Sequence, residues 1–270
     1  MSKVVVITGS TRGIGRGLAV EFLKRGCRVV ISGRTQSAVD AVCKELAAEY
    51  GRDQVAGSAC EITSVEQLGT LWRCGIDKFS KIDIWINNAG VSIARAPLHQ
   101  QSSDDIKRIV DINMKGILLA NHLVIGEMLK QGSGQIWNME GFGSNGQTNV
   151  GMVPYGATKR AVNYINLGLQ KELKNTPVQL CTLSPGIVVT DLLVADYDLQ
   201  SAEWQRVKKI LNILADRVET VTPFLAEGVL KTTRSGAKVA WLTTGKAFRR
   251  FMLAAFNKRD LFAEIEAARV

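Results

Sequence analysis

Apolar and polar positions along the chain alternate between two patterns. Lys3-Val-Val-Val-Ile-Thr8 is a continuous β-branched run, the mark of a strand buried on both faces. Apolar residues then recur at helical spacing to about Arg25. The pair repeats: strand 28–32 with helix 37–50, strand 54–60 with helix 64–79, and strand 81–86 with a long helix over 104–130. Strand 135–139 precedes a helix that begins near Tyr155 and runs through 157–173, and 178–183 is a further strand. Strands separated by helices are joined by crossovers and lie parallel. No Pro/Gly/Ser-rich linker or internal repeat interrupts the alternation. Residues 1–270 are therefore predicted to form a single α/β domain, a doubly wound parallel sheet with helices on both faces.

After Thr190 the pattern changes. Residues 191–235 read as helices with short connections, the expected place for a lid over a substrate site, ahead of a last strand at 239–242. The tail, 245–259, brings Phe248, Phe251, Met252 and Phe256 to one helical face. Lys246, Arg249, Arg250, Lys258 and Arg259 lie elsewhere. Such a basic amphipathic helix packs on the domain's own core, its commoner fate, or lies on a membrane surface.

Composition narrows the class. With 270 residues, 46% of them hydrophobic, the chain can bury a large core. No apolar run is expected to reach the length of a membrane span, and MSKVVVITGS leads straight into a strand, so no leader is expected. Five scattered cysteines without C-x-x-C spacing read as reduced thiols of an intracellular protein. His99 and His122 have no companions, so no metal site is expected. The net charge of +9 forms no continuous block and has no aromatic interleaving, which argues against a nucleic-acid partner. A basic pocket for a phosphorylated cofactor, or a patch facing an acidic membrane, accounts for it as well.

The chemistry begins at Gly9-Ser10-Thr11-Arg12-Gly13-Ile14-Gly15, between strand and helix. Glycines there let the backbone approach a pyrophosphate, and the helix N-terminus favours an anion, so the fold is of the Rossmann kind. An acidic residue after the second strand would bind a free ribose 2′-hydroxyl. Here Arg34 stands in that place, with Arg12 in the glycine turn. Two guanidiniums suit a 2′-phosphate, which favours NADPH over NADH. Asn88-Ala89-Gly90 follows the fourth strand, at the carboxyl end where the ligand crevice lies. Tyr155 and Lys159 stand one helical turn apart, a phenol with an ammonium beside it.

TGSTRGIG, NNAG, Asn113, Tyr155-x-x-x-Lys159 and SPGIVVT together resemble the short-chain dehydrogenase/reductase family over nearly the whole chain. NMEGFGSNG, YGATKR, LSPGIVVTDLL, ILNILADRVETV and WLTTGKAFRRF further resemble the chlorophyll(ide) b reductase group of plants and algae. The resemblance implies NADPH-dependent reduction of the 7-formyl group of chlorophyll or chlorophyllide b. Tyr155 would protonate the carbonyl, and Lys159 would hold the ribose and lower the phenol's pKa. Asn113 would anchor a water. Pro185, Gly186, Val188 and Thr190 would place the carboxamide, and Glu61 with Ile62 would meet the adenine. It also implies a homo-oligomer formed through the helices at 104–130 and 157–173. The location implied is cytoplasmic or on the stromal side of a chloroplast, not secreted, with peripheral contact at a thylakoid membrane.

The family usually ends the strand 135–139 with two serines, the second holding the substrate carbonyl. Glu140-Gly141 stands there instead, and Ser144 is the nearest hydroxyl to replace it. Glu140 aimed at the site would oppose a carbonyl gaining negative charge, whereas the loss of bulk at Gly141 would make room for a macrocycle. Two other functions share these residues. One is a carbonyl reductase for a sterol, quinone or acyl carrier. The other is a sensor or scaffold that binds NADPH without turnover.

Overall fold

The computed structural model of the protein describes residues 2–195, 197–254, 256 and 259–268. β1 (Val4–Ile7), α1 (Gly13–Lys24), β2 (Arg28–Gly33), α2 (Gln36–Tyr50), β3 (Val55–Ala59), α3 (Val65–Phe79) and β4 (Ile84–Asn87) come first. A 3-10 turn (Leu98–Gln100) and α4 (Ser103–Val110) follow, and α4 continues through a π-helical turn (Asp111–Lys115) into α5 (Gly116–Gln131). Then come β5 (Gly134–Met139), α6 (Val153–Glu172), β6 (Val178–Ser184), β7 (Val188–Val189), α7 (Asp191–Val194) and α8 (Ala202–Leu214). β8 (Asp216–Arg217), α9 (Val218–Lys231), β9 (Lys238–Ala240), α10 (Thr244–Leu253) and α11 (Ala263–Ala268) complete the chain.

Seven strands form one parallel sheet in the order β3-β2-β1-β4-β5-β6-β9, and β7 pairs with β8 apart from it. The fold predicted from the alternation is the fold observed. Successive side chains of a strand point to opposite faces, so each β-branched run feeds two cores. Val5, Ile7, Val29, Ile31, Ile84 and Ile86 meet α1, α2 and α9 on one face. Val4, Val6, Val30, Trp85, Ile136 and Leu180 meet α3, α5 and residues of α6 on the other.

Three expectations need correction. The stretch predicted as a lid divides. α9 is a layer of the main core, because Val221, Leu225, Ala226 and Val229 are buried on the sheet. It crosses α1 at Gly17, where a β-carbon would stand 2.5 Å from Val218 Cγ1. Within that stretch α7 and α8 stand outside the two sheet-covering layers, around a small core of Val194, Trp204, Leu211 and Phe262. Second, Ser103–Gln131 is by length and composition long and apolar enough to cross a membrane, contrary to the reading of the sequence. Ile117, Ala120, Val124 and Met128 of that helix are buried in the fold. Third, α10 does not pack its aromatic face on the core: Phe248, Phe251 and Met252 are exposed. Lys258 of the predicted tail helix lies outside the described residues.

What ties these C-terminal elements down is Asp216, 4% exposed in β8. One oxygen accepts from Trp241 Nε1 at 2.6 Å and pairs with Arg250 at 2.7 Å, and the other takes Arg259 at 3.0 Å. Arg259 also donates to the carbonyls of Asn212, Ile213 and Ala215 at the end of α8. Burial alone would raise the Asp216 pKa. The hydrogen bonds from Trp241, Arg250 and Arg259 outweigh it and hold the carboxyl below its usual range.

A group with a depressed folded pKa stabilises the protein above its unfolded pKa, and that contribution is lost as pH falls through the folded value. Asp216→Asn leaves two guanidiniums facing a neutral amide. Since both are partly solvated, the expected cost is about 3 kcal/mol, measured by urea unfolding at neutral pH. The difference from wild type should shrink in acid, where the native carboxyl also loses its charge.

Candidate active site

The strand order reverses between β1 and β4, so a crevice opens at their carboxyl ends. Thr8 closes its floor. Its hydroxyl accepts from the backbone N–H groups of Asn88 and Ala89, each at 3.0 Å, and donates to the Ile86 carbonyl at 3.3 Å. Asn88 Nδ2 donates back to the carbonyls of Thr8 and Gly9 at 2.9 and 3.0 Å. This clamp demands the glycines. Gly9 has φ +65°, and a β-carbon there would stand 2.9 Å from Ala89 Cα. One on Gly15 would stand 2.4 Å from the Gly9 carbonyl oxygen. Thr8 opens the TGSTRGIG motif, but nothing in the sequence shows that its hydroxyl clamps the loop after β4.

The remaining residues of the turn divide by role. Ser10 is buried; its hydroxyl donates to the Ile7 carbonyl at 2.7 Å and accepts from Ser32 N–H at 2.9 Å, binding the turn to β2. Thr11 packs against Gly33, and Ile14 against the main core. Arg12 is largely exposed and lies 3.7 Å from Asp191 of α7, an ion pair worth little in solvent. Arg34 is exposed beyond β2 and makes no salt bridge among the described residues. Glu61 caps β3 and accepts from the Thr63 hydroxyl at 3.3 Å, facing a groove shared with Asp104, Arg108 and Asp111. Ile62 and Val188 are buried. From across the cleft Thr190 approaches Gly13, whose β-carbon would lie 3.6 Å from the Thr190 methyl. Thr190 also caps α7. Pro185 and Gly186 begin this crossing, with Gly186 against Leu242.

Asn113 occupies the π-helical turn, a local widening frequent at functional sites. Fully buried, it accepts from Val91 N–H and donates to the Val91 carbonyl, both at 2.8 Å, and reaches Thr158 Oγ1 at 3.4 Å. It thereby fastens the loop after β4 to α6. Gly90 lies over the same spot, where a β-carbon would stand 3.3 Å from Asn113 Oδ1 and 3.8 Å from Lys159 Nζ. Deeper down, Asn87, Asn138 and Asn166 pass hydrogen bonds of 2.8 and 2.7 Å across β4, β5 and α6. Asparagines inside strands are the sequence signal for this buried chain of amides.

Pro154 in the first turn starts α6 and sets Tyr155 at the crevice. Lys159 is 5% exposed; its Nζ donates to the Met139 carbonyl at 3.3 Å and lies 5.9 Å from the centre of the Tyr155 ring. Burial pushes the ammonium down to about 8, and the Glu140 carboxylate works the other way. Glu140 does not aim at the site. It is 4% exposed, pairs with Lys238 of β9 at 2.5 Å, and accepts from Asn163 at 3.4 Å.

At Gly141 the missing side chain matters. A β-carbon there would stand 2.7 Å from the Tyr155 hydroxyl oxygen and 3.1 Å from Lys159 Cε. The phenol therefore occupies part of the space that a side chain would fill, which leaves less of it for a macrocycle than the bare sequence suggests. Ser144 is buried, donates to the Gly141 carbonyl at 2.7 Å and accepts from Gly141 N–H at 3.1 Å. In this arrangement the Ser144 hydroxyl is turned to the Gly141 backbone, and it would have to leave that bond to reach a substrate. Gly143 rests on Gly156, where a β-carbon would lie 2.7 Å from Gly156 Cα, so the loop is seated on α6. Over the mouth, the Arg95 guanidinium stacks on Tyr197 at 4.5 Å, joining the loop after β4 to the segment between α7 and α8. Neither residue carries a motif.

The family model for short chain dehydrogenases matches residues 3–200. The chain is 35% identical over 255 residues to chlorophyll(ide) b reductase NOL of Arabidopsis thaliana, covering 91% of this chain and 72% of that one. It is also 35% identical over 255 residues to a probable chlorophyll(ide) b reductase, NYC1, of the same plant, covering 88% of this chain but spanning only about half of that protein, 50%. Among solved structures, a gluconate 5-dehydrogenase from Burkholderia cenocepacia, in complex with NADP and tartrate, superposes with a TM-score of 0.76. It is 24% identical and covers 89% of this chain and 94% of its own. The chain therefore belongs to the short-chain dehydrogenase family of NAD(P)H-dependent oxidoreductases.

Proposed function

We propose that the protein reduces the 7-formyl group of chlorophyll or chlorophyllide b to the 7-hydroxymethyl group, using NADPH. The observation that carries the reading is the Tyr155 hydroxyl at the crevice with the buried Lys159 ammonium beneath it. The choice of substrate rests on the relatives named chlorophyll(ide) b reductase, 35% identical over most of the chain.

The residues fit the cofactor. At Gly9 and Gly15 a β-carbon would collide with Ala89 and with the Gly9 carbonyl, so the turn is restricted to glycine there and would present backbone to a pyrophosphate. Among the described residues Lys159 Nζ donates only to the Met139 carbonyl, so the protons left over would be available to hold ribose hydroxyls. Arg34 makes no salt bridge among the described residues and suits a 2′-phosphate. When bound, NADPH supplies a hydride. The protein's part is proton delivery: Tyr155 gives its hydroxyl proton to the carbonyl oxygen as that oxygen gains charge. The ammonium of Lys159 stabilises the phenolate left behind, which makes an acid of ordinary pKa near 10 usable at neutral pH. With Ser144 committed to Gly141 and Glu140 to Lys238, Tyr155 is the hydroxyl that holds the substrate oxygen. Residues that turn on a reaction in this way favour catalysis over a sensor or scaffold role.

We assign a homo-oligomer to the faces of α5 and α6 that leave Leu118, Tyr164 and Leu167 in solvent. The relatives' names place them in chloroplasts, and a plastid or cytoplasmic compartment suits this chain's reaction.

Three measurements check this reading. Chlorophyllide b mixed with NADPH and the protein should lose its formyl-linked Soret absorption, and Tyr155→Phe should slow that loss about 100-fold or more; no spectral change with wild-type protein refutes the substrate. Arg34→Glu should raise KM for NADPH about tenfold or more while leaving NADH nearly untouched; equal effects on both cofactors would remove Arg34 from the 2′-phosphate site. The pH profile of kcat/KM should fall on the alkaline side as Lys159 loses its proton near 8. Glu140→Gln removes the anion that keeps that proton on, so the fall should move to lower pH. An unmoved limb would show that Lys159 does not govern it.

A further inference from the structure

α10 is turned inside out. Its half-buried positions are Lys246, Ala247 and Arg250, while Phe248, Phe251, Met252 and Leu253 are 68%, 49%, 65% and 49% exposed. Phe256, just beyond, is 87% exposed. The orientation is fixed from within. Arg250 donates to the Leu214 carbonyl at 2.8 Å and pairs with Asp216 at 2.7 Å, and Lys246 lies over the Trp241 ring. Rolling the helix to bury its phenylalanines would pull Arg250 off a buried carboxylate, which is strongly disfavoured. The aromatic face is therefore held outward, and a patch of this kind on a protein surface marks an interaction site.

The charges say what covers it. From Thr244 to Arg259 there is no Asp or Glu. Arg249, at the edge of the aromatic arc, makes no salt bridge among the described residues. On α8, which packs beside α10, Lys209 is exposed without a salt bridge among the described residues, next to Ile210 at 50% exposure. Apolar side chains rimmed by unneutralised cations complement an anionic lipid surface. A second copy is the poorer match, because a two-fold contact through this face sets Arg249 and Lys209 against their own counterparts.

We infer that α10 is a membrane-surface anchor: Phe248, Phe251 and Met252 enter the acyl boundary of an anionic bilayer, with Arg249 and Lys209 at the head groups. The inference is independent of the reaction assigned to the crevice. It is tested by flotation of the full chain with vesicles of phosphatidylcholine alone and of phosphatidylcholine containing phosphatidylglycerol. Wild-type protein should float with the anionic vesicles only. The double variant Phe248→Ser/Phe251→Ser should lose about tenfold or more of its partition, and Arg249→Glu about fivefold or more. Melting temperature and NADPH binding should stay as in wild type, since these side chains touch neither core nor crevice. Failure of wild-type protein to bind anionic vesicles overturns the anchor, as does equal binding by the double variant. A wild-type oligomer in gel filtration that the double variant dissolves would also overturn it, assigning the face to a second copy.

Discussion

The Thr8 hydroxyl, at the point where the strand order reverses, is the interaction on which the site depends. It takes two backbone N–H groups from the loop after β4, and Asn88 returns two hydrogen bonds to the turn after β1. Parallel strands leave their carboxyl ends open, and nothing in a sheet itself fixes how far apart the loops above them stand. The clamp fixes that spacing and makes glycine obligatory at Gly9 and Gly15. The crevice, the helix N-terminus above it and the approach of Thr190 all inherit their positions from it.

A second constraint is the buried charge of Lys159. Removing an ammonium from water is expensive, and its pKa falls to about 8 as a result. Glu140, fixed by Lys238 rather than turned into the crevice, offsets part of this. The buried acid and the glycine that follow β5 thus fit together. The acid supports the lysine, the glycine admits the phenol, and Ser144 closes the turn between them.

Much of the fold was legible because a strand buried on both faces must be continuously apolar, and a crossover helix must be apolar on one stripe. The glycine turn and the Tyr155–Lys159 pair were legible because their spacing is itself geometric. Other features were not. The 3.6-residue period of α9 says which of its faces is apolar but not which element it meets, so a core layer read as a lid. The same limit applies to α10, whose aromatic stripe fitted packing on the domain or a membrane surface, and whose opposite face Asp216 holds inward through Arg250. Asp216 itself sits in ADRVET with no periodic signal. The hydrogen bonds of Ser144 to the Gly141 backbone were likewise not readable from its place in the sequence.

The proposed function has Tyr155 deliver a proton beside a bound NADPH, and the most direct check follows the hydride. Chlorophyllide b would be incubated with the protein and NADPH carrying deuterium at the transferable position of the nicotinamide, and the product's mass read. The account requires a 7-hydroxymethyl product with one deuterium on the former formyl carbon, and none when the label sits on the opposite face of the ring. A reduced product that carries no deuterium from either face, or no reduced product at all, would contradict it.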